Sequence, residues 1–359
     1  MPRNGRSSGR DAATLLVEHV RRAIHVGKFP VDRFLPTVRE LGEKFKASPE
    51  TVRRGLKSLE AEGLLVARAR HGFRVARRTD DKAAAGPVAY VTDYAEDMAG
   101  AQPVNWALTE ALQHAAAARG AAVLGTPCGG QTRTAVLDRL RAGHASGIVL
   151  DTLDPALIET IRQAGLPVVM VNSWWEETEF DVVLQDNYRG GFLAAKHLLD
   201  AGCRKIAWLG LIGKFCHSRE RFAGAVAALA AAGRHLPDLA CVDAQGEELR
   251  RGTVALLGQP DRPDGILALA AGSATAVRDA CMNRGLQLGK DLRMVGWIVE
   301  EFYAREHVPL FNGGPVPPAV VWKASSMAER ALALLAERRQ TQANEPVRVC
   351  VSTRLKFSG

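Results

Sequence analysis

The 359-residue sequence has no Walker phosphate loop, no G-x-G-x-x-G and no H-E-x-x-H. Each of those patterns sets a phosphate cradle, a nucleotide turn or a pair of metal ligands at the spacing its chemistry requires, so their lack speaks against those enzyme classes. The Gly-Lys of "GLQLGKD" is not in phosphate-loop spacing. Cysteine is sparse as well. Cys128, Cys203, Cys216, Cys241, Cys281 and Cys350 form no C-x-x-C and no Cys/His zinc pattern. Most sit in apolar runs such as "LACVDA" and "VRVCVS", where a free thiol behaves as a small hydrophobe. No uncharged apolar run is long enough to cross a membrane, and the start "MPRNGRSSGRDAATLL" lacks a signal-peptide apolar block. The expectation is a non-enzymatic chain without metal or cofactor, with no membrane partner, working in the cytoplasm.

What is present is unevenly distributed. The net charge is +8, yet residues 1–82 hold 19 Lys and Arg against 10 Asp and Glu, while the rest holds 28 against 29. Basicity confined to one small N-terminal unit suits polyanion binding better than general solubility. The length and an apolar content of 47% allow two or three domains with sizeable cores.

Three helical patterns occupy the first 65 residues. The first, Asp11 to Val26, carries Leu16, Val20 and Ile24 on one face and stops before Gly27. The second, Thr37 to Phe45, repeats Val38, Leu41 and Phe45. The third opens at "SPET", with Ser48 as N-cap and Pro49 as first helical residue; Val52, Leu56 and Leu59 form its apolar stripe and Gly63 ends it. Only "KAS" separates the second from the third, which is helix-turn-helix spacing. "LLVARAR" and "FRVARR" then predict a small hairpin around His71 and Gly72. These signals define a winged helix-turn-helix over residues 1–76, and "RRTDDKAAAG", residues 77–86, reads as a polar linker.

From Pro87 to residue 359 the pattern changes. Short apolar runs, among them "PVAYVTD", "SGIVLDT", "PVVMVNS", "KIAWLGL", "GILALAA" and "LRMVGWI", alternate with Ala/Leu-rich helical stretches. That alternation predicts parallel sheets covered by helices on both faces. Roughly eight such units exceed a usual open sheet, so two doubly wound lobes are expected, with ligand bound in the cleft between them.

"LPTVRELGEKFKASPETVRRGLKSLEAEGLL", running on to "RARHGFRVA", resembles the GntR-type winged-helix domain over about Thr14 to Ala76. The motifs "QDNYRGGFLAAKHLLDAGCRKIAWLGL", "SRERFAGAVAAL" and "PDGILALAAGSATAVRDACMNRGLQLGKDLRMVGW" resemble, in order, the effector domain of the LacI and periplasmic-binding-protein group. The joint resemblance implies a sugar-responsive bacterial transcription regulator, with double-stranded operator DNA, a small-molecule effector and a second copy of the chain as partners. It is expected to be a repressor; the alternative is a ligand-independent dimeric DNA-binding protein whose effector domain only dimerises.

Carried over by position, the resemblance puts Arg39, Ser48, Thr51, Arg53, His71 and Gly72 at DNA contacts. Arg54 and Lys57 share the outer face of the third helix and are assigned to phosphates. Glu50 departs from the Arg that family members commonly place near this point; a carboxylate there repels phosphate but accepts from cytosine N4. Each position has a plain alternative. Arg39 can pair with Glu43 at i+4, Ser48 and Thr51 can serve only the helix cap, and His71 can be an ordinary turn residue.

In the effector domain the resemblance places a ligand-gripping Arg at Arg221. The Asn-Asp pair expected at a strand end falls instead on Ala270 and Ala271, and a second Asp falls on Ile298. Aromatic residues at strand ends, Tyr94, Trp174, Trp175 and Trp297, can stack on a ligand or fill the core and dimer contact. Glu176, Asp186 and Glu300 are the remaining acceptors, and Asp186 is equally placed to cap the helix from Asn187.

Overall fold

The computed structural model describes residues 8–25, 29, 33–61, 64–68, 72–75, 86–93, 103–174, 179–234, 239–311, 314–340 and 345–358. In the N-terminal unit, Leu16 and Val20 of α1 (Ser8–His25) join Leu41 of α2 (Val38–Phe45) and Val52, Leu56 and Leu59 of α3 (Pro49–Ala61) in one buried core. Each burial contributes roughly 1.5–3 kcal/mol against the entropy of ordering. Gly55 allows the close helix approach, since a Cβ there would lie 3.0 Å from Leu16 Cδ2. Thr37 and Glu40 form a capping box at the start of α2. Lys46 then takes a left-handed φ of 51°, turning the chain within three residues so that Ser48 can cap α3. Strands β1 (Leu65–Arg68) and β2 (Gly72–Val75) pair antiparallel, with Leu65 opposite Val75 and Arg68 opposite Gly72. The three helices and hairpin are those expected; the Ile24 side chain and Gly63 lie outside the described residues.

Beyond this unit stand two six-stranded sheets. The first contains β3 (Val88–Thr92), β4 (Val123–Pro127), β5 (Gly147–Asp151), β6 (Val168–Val171), β7 (Asp181–Gln185) and, far along the chain, β13 (Arg348–Val351), all parallel. α4 (Pro103–Ala117) and α12 (Ala324–Gln340) cover one face, with Leu108, Leu112, Met327 and Leu335 buried. α5 (Arg133–Ala142) and α6 (Pro155–Arg162) cover the other through Val136, Leu140, Ile158 and Ile161.

The second sheet contains β8 (Ile206–Leu209), β9 (Leu239–Val242), β10 (Gly265–Ala268), β11 (Arg293–Val299), β12 (Ala319–Trp322) and the antiparallel edge strand β14 (Arg354–Lys356). α7 (Asn187–Asp200) and α8 (Cys216–Ala231) pack on one face, α9 (Gly246–Leu257) and α10 (Ser273–Arg284) on the other. A π-turn at Tyr303–His307 and the single turn α11 (Val308–Leu310) link β11 to β12.

The chain passes between the lobes three times: from β7 into α7, from β12 into α12, and from β13 into β14. Parallel strands share one direction, so these exits put the carboxyl ends of both sheets at the lobe boundary. The first and third crossings are tied together: Asp186 N–H donates to the Val351 carbonyl at 2.9 Å and the Thr353 hydroxyl donates to the Asp186 carbonyl at 3.1 Å. Three short connections, two of them bonded to each other, let the lobes tilt as bodies while resisting separation. Among the described residues, no helix is long and apolar enough to cross a membrane and no His/Cys/Asp/Glu cluster is arranged to hold a metal.

Candidate functional site

Ser48 Oγ accepts the Thr51 N–H at 3.2 Å and lies 2.9 Å from the Thr51 hydroxyl, so both residues serve the N-cap of α3. Glu50, Arg53, Arg54 and Lys57 follow at i, i+3, i+4 and i+7 and are all exposed. No carboxylate among the described residues pairs with Arg53, Arg54 or Lys57, leaving a bare cationic face beside one acid. A solvated helix face would ordinarily carry i,i+4 ion pairs, as α2 does through Arg39 and Glu43 at 3.1 Å. Arg39 thus takes the alternative partner foreseen for it, in an exposed pair that dissociates at little cost. Gly72 opens β2 at a φ of 88°, a backbone only glycine adopts without strain, with open space around its missing side chain. His71 lies outside the described residues.

At the lobe boundary, Arg221 is built into the wall of the second lobe. Gly191 of α7 and Gly224 of α8 let the helices touch backbone to backbone: a Cβ on Gly191 would overlap the Arg221 carbonyl, and one on Gly224 the Tyr188 carbonyl. Arg221 is thereby held 7% exposed. Its Nε donates to Asn187 Oδ1 at 2.9 Å and its Nη1 to the Leu269 carbonyl at 2.8 Å, while its guanidinium lies over the Trp297 ring. Burial lowers its pKa to about 9. Trp297 packs against Gly190 and reaches both lobes' cores.

Trp174, expected in the cleft, sits where the lobes meet. Its backbone N–H donates to Cys216 Sγ at 3.3 Å and its indole Nε1 to Glu220 Oε1 at 3.1 Å, both on α8. Arg348, on β13 of the first lobe, pairs with the same carboxylate and covers the Trp174 ring, its guanidinium carbon 4.7 Å from the centroid. Glu220 Oε2 also accepts from Asn187 Nδ2 at 3.2 Å. Glu220 therefore gathers one hinge residue and two first-lobe side chains, a role the sequence reading missed.

Glu300 is not part of that group. It pairs with Arg354 and, at 3.3 Å, with Lys356, and it borders a cavity of about 110 Å³ at the hinge with Lys323, Ser326, Ser352 and Thr353. Asp186 caps α7 through the Arg189 N–H at 3.1 Å. Tyr94, Trp175 and Glu176 lie outside the described residues. Ala270 ends the β10 run with its Cβ against Gly210, and Ile298 packs into two apolar clusters, so neither offers a polar grip.

The first lobe carries a polar chain the sequence did not signal. Asp151, at the end of β5, accepts from Tyr90 Oη at 2.9 Å, Asn105 Nδ2 at 3.0 Å and Asn172 Nδ2 at 3.3 Å. Gln185 Nε2 donates to Asn172 Oδ1 at 2.7 Å, while Gln185 Oε1 is buried without a partner. Burial raises the Asp151 pKa to about 6 despite these donors.

Residues 13–75 match the model described as bacterial regulatory proteins, gntR family, and residues 99–298 match that for periplasmic binding proteins and the sugar binding domain of the LacI family. The chain is similar to the ribose operon repressor of Haemophilus influenzae, 30% identical over 45% of this chain and 49% of the relative. It is also similar to the arabinose metabolism transcriptional repressor of Halalkalibacterium halodurans, 24% identical over 47% and 48%. The chain spans about half the length of the curated relatives it matches. Among solved structures, a transcriptional regulator CelR-cellobiose complex aligns over 87% of this chain and 90% of that chain at 23% identity, with a TM-score of 0.62. A LacI family regulator from Enterococcus faecium with bound ribose aligns over 76% and 98% at 19% identity, with a TM-score of 0.61. At these identities the solved structures establish the fold.

Proposed function

We propose, from the premise that this chain belongs to the family of periplasmic binding proteins and LacI-type sugar-binding domains, that it is a transcription repressor whose hold on operator DNA is set by a small molecule between its lobes. The observation that carries this reading is the bare cationic face of α3 on a chain whose two lobes are joined by three crossings. α3 lies in the major groove; Arg53, Arg54 and Lys57 meet phosphates, and Glu50 and Thr51 face bases. Gly72, which opens β2, brings the wing to the DNA. Arg39 exchanges its exposed Glu43 partner for the DNA backbone.

One winged helix reads few base pairs, so the protein acts as a homodimer on a two-fold operator in the cytoplasm. The effector, a sugar or sugar derivative, is held by Arg221 and Trp297 from the second lobe and by Trp174 from the first, with Glu300 at the hinge. Closing the cleft changes the lobe angle and with it the spacing of the two DNA-reading heads. The ligand shifts operator affinity by its preference for one lobe angle over the other.

Selection of bound duplexes from a randomised pool by the full chain tests the DNA half of this reading. Enrichment of a two-fold symmetric site supports it; retention of DNA with no enriched sequence contradicts it.

A further inference from the structure

Among the described residues, the N-terminal turn of α8 is short of negative charge. Arg221 is a buried cation, yet its two hydrogen-bond acceptors are an amide oxygen and a backbone carbonyl, both neutral. Its Nη2 has no acceptor among the described residues. Among the described residues, Glu220 is the carboxylate that acts on Arg221, and its oxygens already receive Trp174, Arg348 and Asn187. A buried guanidinium whose hydrogen-bond acceptors are neutral is costly, and a bound anion offsets that cost with charge-assisted hydrogen bonds.

Two further groups share this surface. His217 precedes Arg221 by one helical turn, and its Nδ1 is buried without a partner. Burial, Arg221 and Arg219 all oppose its protonation. Ser218, also buried, lies three residues before Arg221 on the same turn. α8 is sixteen residues long, and its N-cap, Phe215, makes no side-chain cap hydrogen bond, so its first N–H groups favour negative charge there. The turn is at the lobe boundary, because Cys216 Sγ receives the Trp174 N–H from the first lobe. The positions that the family resemblance would give to sugar-binding Asn and Asp carry Ala270, Ala271 and Ile298.

We propose that the effector carries an anionic group, a carboxylate or a phosphate, which docks against Arg221, His217 and Ser218 at the first turn of α8. This rests on the reading of the cleft as a ligand site and names the ligand class it takes: an acidic sugar derivative or similar small acid. Arg221 Nη2 donates to the anion, and the Trp297 ring keeps the guanidinium plane fixed for it.

The test uses the full chain and two simple probes, acetate and inorganic phosphate, titrated at pH 7.5 against chloride of matched ionic strength while thermal unfolding is followed. The expected result is a saturable rise in Tm above the chloride control with at least one probe. Arg221→Met abolishes it. Asn187→Asp, an isosteric change that gives Arg221 Nε a carboxylate partner, raises the half-saturating concentration by about tenfold or more. The triple change Arg53→Ala, Arg54→Ala, Lys57→Ala leaves the rise intact, which separates this site from anion binding by the DNA-reading helix. No rise beyond chloride overturns the proposal, as does a rise that persists in both Arg221→Met and Asn187→Asp. A response to D-ribose or D-glucose with none to either anion overturns the anionic group and leaves ligand control standing.

Discussion

The guanidinium of Arg221 sits over the indole of Trp297, its central carbon 3.7 Å from the ring centroid. The contact joins α8 to β11 and fixes the direction of the only buried cation described at the lobe boundary. Trp297→Ala is expected to destabilise the chain by about 3 kcal/mol, from the cavity and the lost cation–π contact together. Trp297→Phe keeps an aromatic face and loses less than half of that. Urea unfolding of the two variants checks the order; equal losses would contradict a contribution from an aromatic face at this position.

The α3 face predicts a salt signature. Replacing Arg53, Arg54 or Lys57 singly by Ala weakens binding to all duplexes alike, and each lowers the slope of log affinity against log salt by about 1. Glu50→Gln leaves that slope nearly unchanged and alters which base is preferred at one position of each half-site. Anisotropy titrations at several salt concentrations distinguish the two behaviours. A Glu50→Gln variant with unaltered base preference would remove that residue from base reading.

Ser48 caps α3 and is proposed to meet DNA as well, and two substitutions separate the roles. Ser48→Ala removes the cap on Thr51 N–H and costs about 1 kcal/mol of stability. Ser48→Asp keeps a capping oxygen, so stability is retained, but adds a negative charge next to phosphate. Operator affinity therefore falls in both while melting temperature falls only in the first. Full operator affinity in Ser48→Asp would mean the hydroxyl is a cap alone.

His217 sets an acid limit. Its folded pKa, pushed down to about 3 by burial with Arg221 and Arg219 adding to the effect, lies below the ordinary 6.5. The unfolded chain thus binds the proton more tightly, and the stability His217 contributes above pH 6.5 is lost as pH falls toward 3. Asp151 has the opposite sign: its pKa is raised from 3.8 to about 6, so its contribution is present in acid and lost as pH rises through that interval. His217→Gln should flatten the acid loss and Asp151→Asn the fall in stability from pH 4 to 6. Unfolding free energies measured at half-unit steps check both, and unchanged profiles would refute the burial argument.

Glu220 links the lobes through Trp174, Arg348 and Asn187. Glu220→Gln retains shape but loses the charge that holds Arg348. The expected outcome is faster hydrogen exchange at the Trp174 indole and the Asn187 side chain, with the winged-helix amides unaffected. Protection equal to wild type at both groups would show that the lobes are held elsewhere.

The legible parts of the fold are those with local signals. Ser48-Pro49 marks its helix start because capping and proline chemistry act within one turn, and the wing follows from Gly72. The eight strand runs noted in the sequence are all strands, yet β7, β12, β13 and β14 were not assigned. These strands border the crossings, and their short apolar stretches, such as "DVVLQ" and "AVVW", give no period to separate strand from buried helix. Arg221 was legible through its motif, whereas its stack on Trp297 depends on how closely the glycines let α7 and α8 approach. The Glu220 cluster joins residues far apart in the chain and has no sequence signature at all. The alternatives noted for Asp186 and Arg39 are the contacts the structure contains, with the cap on α7 and the pair with Glu43.

The measurement that bears most directly on the account is operator affinity in the presence and absence of a compound that raises the Tm of the full chain. Ligand control predicts a change of about five- to 150-fold, the range of ordinary coupling between two sites. A compound that stabilises the protein, loses its effect in Arg221→Met, and leaves operator affinity unchanged would contradict it.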